Sequence, residues 1–338
     1  MKRKQIVVSA LLAVGFSTVA PTALCGTASE DATREEHIAW GETAFPDPTL
    51  WKAADGRYYA YATPSQVLTD QHYLESDDGL VWRQMDYGPF TPEMAAAIQK
   101  DWKRVWAPDH AVVAGKRLLY VALYNSAKDS AIAACRLDGE PGRVTDFTII
   151  TRSSETGIRD SIDPEVVTDP ETGRVWLFFG STGKMHRVEL AADGMSVKPG
   201  AKYEHVAGRP GAGKGRSALF EGAYLHRRGA WWYLFVSAGW HGNATYNIRV
   251  GRSPTLDGVF VDREGRPMTE GHSTPVLGTD GDFYGPGHNG DFLVAKDGVE
   301  RIYYHCHKKG HKVKGKEVRI LLCRRLVWDA DGWPTAVK

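Results

Sequence analysis

Three acidic residues stand at matched places in a repeating pattern: Asp47 before Pro48, Asp163 before Pro164, and Glu221 before Gly222. Proline confines the residue before it to extended backbone, so Asp47 and Asp163 share one local context. Any one of them alone reads as a turn or cap residue. Three in register read differently if the fold carries them to one point. Carboxylates held close together raise at least one pKa, so a protonated carboxyl and an ionised one coexist near neutral pH. Such a pair can protonate a leaving oxygen and activate a water, the division of labour in glycoside hydrolysis.

The elements that must position them repeat as well. Asp47, Asp109, Asp163, Glu221 and Gly287 each open a segment with a short apolar run, a turn and an aromatic or β-branched run. The turns end in Gly56, Gly115, Gly173, Gly229 and Gly298, and the starts lie 62, 54, 58 and 66 residues apart. An all-strand repeat of this length is a propeller blade. Five copies predict an all-β, five-bladed β-propeller whose early-blade carboxylates converge on a central channel. Alternation predicts strands over 57–63, 118–125, 175–181, 231–237 and 301–307. Asp55-Gly56, Thr172-Gly173 and Asp297-Gly298 read as hairpin turns. A further turn and strand falls at 76–82, only 92–103 reads as helix, and 326–334 reads as a last strand and tail.

The 338 residues carry 42 Lys+Arg against 41 Asp+Glu, which leaves no footprint for nucleic acid or an anionic membrane and points to a neutral partner. Lys2, Arg3 and Lys4 precede an apolar run at 6–20 and small residues, the pattern of a secretory signal over 1–28. The propeller is expected over 29–338. Leu24 before Cys25 does not suit a lipobox, and no later stretch reads as a membrane span. Of the remaining cysteines, Cys135, Cys306 and Cys323, the last two sit on adjacent predicted strands and could pair or stay as buried thiols. The chain is read as a secreted monomer.

An ordered set of short motifs resembles glycoside hydrolase family 43, and most of all its arabinanases. The set comprises Phe45-Pro46-Asp47-Pro48, Trp106-Ala107-Pro108-Asp109, Ser161-Ile162-Asp163-Pro164, Glu221-Gly222, Val250-Gly251-Arg252-Ser253 and Gly285-Pro286-Gly287-His288. The fit also takes in 233–237, 265–268 and 331–334. By that resemblance Asp47 is the general base, Glu221 the general acid, and Asp163 the residue that raises the acid's pKa and orients it. The family inverts anomeric configuration, which implies a base–acid separation of roughly 6.5–9.5 Å. The implied substrate is α-1,5-linked L-arabinan or its oligosaccharides. His288 alone reads as a hydrogen-bonded loop residue. In arabinanases the matching His helps hold a metal ion, usually calcium, through a largely water-filled shell, although calcium normally takes oxygen ligands.

The candidate substrate-binding set is Trp106, Asp109, Asp160, Ser161, Ser181 and Arg252. Trp106 is either a sugar-stacking platform or inter-blade core. Arg252 either neutralises carboxylates near the axis or forms a buried structural ion pair. Asp160 stands where arabinanases usually carry Asn, Ser161 where they often carry Ala, and 239–242 where many carry a Cys pair. Other specificities of the same family, a non-catalytic sugar-binding propeller and a retaining transferase acting on sucrose are the competing readings. Three motifs read as decoys. The run 210–217 faintly resembles a phosphate loop, but Gly215 follows Lys214 where Ser or Thr is needed. His305, Cys306, His307 and His311 suggest zinc without a second matching pair. The lysines of 308–316 read as a solvated hairpin.

Overall fold

The computed structural model describes residues 37–209 and 220–338; the leader read at 1–28 and the phosphate-loop-like run at 210–217 lie outside them. The described residues form a five-bladed β-propeller. Blade one consists of Thr49–Lys52, Tyr58–Tyr61, Leu74–Ser76 and Arg83–Gln84, and blade two of Arg104–Val113, Lys116–Ser126, Asp129–Asp138 and Arg143–Arg152. Blade three runs from Glu165–Thr168 to Glu204–Ala207, and blade four from Phe220–Arg228 to Thr274–Leu277. Each of these four blades is an antiparallel four-stranded sheet.

Blade five closes the ring in a way the repeat pattern did not foretell. Its strands Phe283–Gly287, Phe292–Val294, Glu300–Lys308 and Ile320–Trp328 are completed by two short pieces. His37–Trp40 pairs with the first half of Ile320–Trp328, and Pro334–Val337 pairs with its second half. Segment 37–40 is therefore a strand held by blade five. The helix expected at 92–103 is Pro92–Gln99, capped by the Thr91 side chain, which accepts from Met94 N. A second, four-residue helix at Ser153–Thr156 was not expected. Among the described residues no helix is long and apolar enough to cross a membrane.

The core lies between blades rather than within one layer. Second strands alternate side chains between their two neighbours, and both faces are apolar. Tyr59 and Tyr61 pack with Leu119, Val121 and Leu123 of blade two, whereas Tyr58 and Ala60 pack with Tyr303 and Leu321 of blade five. Leu177 and Phe179 face blade two while Trp176 and Phe178 face blade four. Strands covered on both sides read as continuous apolar runs, which is why the second strand of each blade stood out in the sequence. Cys135, Cys306 and Cys323 are buried. Cys306 is opposite Ile320 and Cys323 opposite Tyr303, so the two cysteines are out of register for a bridge.

One polar belt ties the blades together. In each, a side chain of the inner segment accepts a backbone N–H from the next blade. Thr49 Oγ1 accepts from His110, Asp109 Oδ2 from Val166, Glu165 Oε1 from Leu225, and Tyr224 Oη from Phe292. Asp291 Oδ2 accepts from Leu50 and joins blade five to blade one. Every inner strand thus satisfies a buried donor that would otherwise cost about 1–3 kcal/mol.

Candidate active site

Five residues with left-handed backbone, one per blade, mark the approach to the inner strands. They are Asp47 (φ 54°), Ala107 (φ 40°), Asp163 (φ 56°), Gly222 (φ 61°) and His288 (φ 43°). Four are not glycine, and each such residue carries a cost of roughly 1–2 kcal/mol. Repetition of that cost at equivalent points marks a constrained channel rim. Ladder register slips across this residue in blades two and four and just before it in blade five, as at bulges that re-aim side chains.

This register corrects the alignment read from sequence. Asp47 and Asp163 are equivalent. Glu221 stands one residue before its blade's left-handed position, and Asp109 stands two residues after its own. Asp109 is therefore the counterpart of Glu165. Its carboxylate belongs to the inter-blade belt, bonded to Val166 N, and is not one of the groups facing Asp47 and Glu221.

Asp47 is gripped from several sides. Its Oδ1 lies 3.0 Å from Arg319 Nη1 and 3.2 Å from His288 Nδ1, and its Oδ2 accepts from Thr63 Oγ1 at 2.7 Å. Burial alone would raise its pKa, but Arg319, His288 and His305 outweigh burial and hold the carboxyl well below the usual range. The Asp47 N–H donates to His305 Nδ1 at 3.0 Å, so that nitrogen carries no proton. Burial, then Arg319, depresses His305 to about 3 and keeps it neutral. Its 3.3 Å approach to Asp47 Oδ1 is therefore a contact between neutral imidazole and carboxylate, not an ion pair. His288 is the opposite case. Burial would lower its pKa, yet the charges of Asp47 and Asp163 push it up to about 9.

Glu221 is held by two hydroxyls: Ser181 Oγ donates to Oε2 at 2.7 Å and Tyr246 Oη to Oε1 at 2.8 Å. Asp163 is buried beside it and accepts from Gly222 N at 3.3 Å. Burial, opposed by His288 and reinforced by the charges of Glu221 and Asp47, pushes Asp163 up to about 8. The raised pKa thus falls on Asp163. Asp163 therefore keeps a proton at neutral pH, next to the Glu221 carboxyl.

The groups that hold these carboxylates were mostly missed in the sequence. Thr63, Ser181, Tyr246 and Arg319 come from the connections between second and third strands of blades one, three, four and five. In an antiparallel blade those connections return to the face where the inner strand begins. No local motif marks them, and only ring closure brings Arg319 to Asp47. His305, dismissed as half of a zinc cluster, instead supports Asp47.

The remaining candidates divide. Ser181 bonds the acid directly. Asp160 is buried, accepts from Thr182 Oγ1 at 3.0 Å, and is raised mainly by burial with a contribution from Glu221. Trp106 is half-buried next to Ala107 and stacks on Tyr124 at 4.4 Å. Ser161 has no exposed surface, and its hydroxyl is bonded to Ile158 O; it is a loop fastener with no face for a sugar. Arg252 lies on the third strand of blade four. It is sandwiched by Trp231 and Trp333 at 4.4 and 4.5 Å and bonded to Asp331 O, which removes it from the site.

A cation at His288 fits only in a water-shelled form. One ring nitrogen is taken by Asp47. Among the described residues no three His, Cys, Asp or Glu side chains converge on a metal position.

The chain is similar to known proteins over most of its length. The chain is 28% identical over 330 residues to an extracellular endo-α-(1→5)-L-arabinanase of Bacillus subtilis, covering 95% of this chain and 96% of the relative. It is 26% identical to an extracellular exo-α-(1→5)-L-arabinofuranosidase of Cellvibrio japonicus, covering 85% of each. Among solved structures, an endo-arabinanase from Bacillus licheniformis superposes with TM-score 0.71 at 25% identity, over 88% of this chain and 99% of that one. The α-L-arabinanase of Cellvibrio cellulosa bound to arabinohexaose superposes at 0.73 with 24% identity, over 88% and 96%, and supports the fold alone. The sequence pattern described as Glycosyl hydrolases family 43 matches residues 41–334, and the chain belongs to that family.

Proposed function

We propose that this chain hydrolyses α-1,5-linked L-arabinan or its oligosaccharides with inversion, using Asp47 as base and Glu221 as acid. The observation that carries the reading is the unlike treatment of carboxyls in one channel mouth. Asp47 is held ionised by Arg319 and His288, while the buried Asp163 beside Glu221 is pushed toward its protonated form. Environments that push carboxyl pKa values apart assign acid and base. Asp47 takes a proton from water as that water attacks the anomeric carbon. The Asp163–Glu221 pair supplies a proton, and Glu221, the more exposed of the two, delivers it to the leaving oxygen. The hydroxyls of Ser181 and Tyr246 then stabilise the Glu221 carboxylate that this step creates. Trp106 and Asp160 lie near the rim and are the side chains proposed to meet sugar.

A water-shelled cation at His288 would add positive charge beside the carboxylates; the steps above use only the side chains. Export follows from the leader read at 1–28 and is supported by the two relatives named extracellular.

Proton NMR of the protein acting on linear α-1,5-arabinan tests the proposal. The expected result is arabinose or short oligosaccharides released first as the inverted anomer, with product length separating internal from terminal cleavage. Asp47→Ala and Glu221→Ala should each lower turnover about 10²–10⁴-fold with unchanged melting temperature. The retained anomer, or full activity in either variant, would overturn the assignment.

A further inference from the structure

The connection between second and third strands of blade five differs in kind from those of the other blades. It is a hairpin, Lys312–Val313 paired with Lys316–Glu317. Residues 308–316 hold five lysines, Lys308, Lys309, Lys312, Lys314 and Lys316, and no acid. The whole chain is within one charge of neutral, so this is a local concentration of positive charge, not a general property. Lys309, Lys312, Lys314 and Lys316 are exposed.

The hairpin is built and held in place. His311 Nε2 bonds to Gly41 O at 2.8 Å, and Lys309 N donates to Asp282 O at 2.8 Å. The nearest acid in sequence, Glu317, is fastened by Tyr284 Oη on one oxygen and Gly310 N on the other. The turn residues Lys314 and Gly315 have φ of 50° and 79°, the signature of a tight hairpin turn in which Asn or Asp is the cheaper first residue. Lysine occupies that strained position.

Its location gives the charge a use. This connection lies on the channel face, because Arg319 at its end reaches Asp47 Oδ1 at 3.0 Å. His307 at its start contacts His241 O of the neighbouring blade-four loop. We infer that the lysine hairpin at 308–316 is a docking surface for a carboxylate-bearing polysaccharide, the acidic polymer that carries the neutral segment cleaved in the channel. A field of one sign beside a cleft raises the local concentration of oppositely charged substrate and falls with ionic strength. The inference rests on the proposed glycosidase reading only for where the polymer lies.

The test compares an arabinan attached to a galacturonate-bearing backbone with the same polymer after carboxyl reduction. The wild type and a Lys309→Gln/Lys312→Gln/Lys314→Gln/Lys316→Gln variant are assayed at about 10 mM and about 0.5 M NaCl, where the screening length falls from roughly 30 Å to a few ångströms. For the wild type at low salt, KM on the acidic polymer should be about tenfold below that on the reduced polymer. That advantage should vanish at high salt and in the variant, while kcat on neutral arabino-oligosaccharides stays unchanged. Equal KM on both polymers, or an advantage that survives in the variant, would overturn the inference. Affinity electrophoresis through gels containing polygalacturonate reads binding without turnover. Retardation of the wild type but not the variant would support the surface even if arabinan proved not to be the substrate. Equal retention of both proteins would refute it, and equal binding to phosphatidylserine vesicles would remove the polysaccharide assignment.

Discussion

Tyr246→Phe isolates the part of the mechanism that rests on Glu221. Tyr246 is almost wholly buried, stacks parallel to His305 at 5.7 Å, and has the Gly287 backbone against its ring. Phenylalanine keeps each of those contacts and removes one oxygen, the donor 2.8 Å from Glu221 Oε1. A hydrogen bond to a charged group contributes about 1.5–3 kcal/mol, and each 1.36 kcal/mol is tenfold in rate. The bond matters most once Glu221 has given up its proton and become a carboxylate, so the loss falls on the acid step. On arabino-oligosaccharides, kcat should fall about 10- to 150-fold. An aryl arabinofuranoside with a good leaving group needs little protonation, and its kcat should fall no more than about threefold. The assay is initial rate against substrate for both substrates, with a melting curve as the control for folding. An equal loss on both substrates would show that Tyr246 only packs. No loss on either would refute the assignment of Glu221 as the acid.

Three further outcomes follow from the same geometry. Arg319→Gln removes the strongest of the influences that lower the Asp47 pKa; the base must be ionised, so the acidic limb of kcat/KM should move to higher pH in a rate–pH profile. Asp163→Asn should flatten the pH dependence of stability. In the wild type the unfolded carboxyl ionises near 3.8 while the folded one keeps its proton to about 8. Stability therefore declines as pH rises across that window, a decline that denaturant titrations of the variant should lack. Asp291→Ala leaves the Leu50 N–H without its acceptor at the joint between blades five and one. It should cost about 1–3 kcal/mol by chemical denaturation with little change in kcat, and a large loss of kcat at unchanged stability would contradict a purely structural belt.

Much of this molecule was legible because the chemistry repeats. Aromatic second strands such as 58–61 and 175–179 are apolar on both faces because each is packed between two blades, so their pattern survives in one dimension. Asp47 and Asp163 were legible for a related reason: each precedes a proline at the same point of its blade. Glu221 was grouped with them correctly as a neighbour but not as an equivalent, since it stands one residue out of register. Asp109 was misplaced by the same kind of error. A bulge near the channel rim shifts which residue faces the axis, and nothing in the local sequence announces the shift.

By itself, then, the sequence determined the number of blades, the strands that form them and the carboxylates that meet in the channel, because strand periodicity and turn chemistry are local properties. The tertiary structure alone decided which carboxyl holds the proton and which is kept ionised. Those states depend on Arg319, His288 and His305, which come to Asp47 from up to 272 residues away in the chain. It also decided that residues 37–40 and 334–337 share one strand position to close the ring. Burial and charge act through space, and until the ring is closed no residue of this chain has the neighbours that set its protonation.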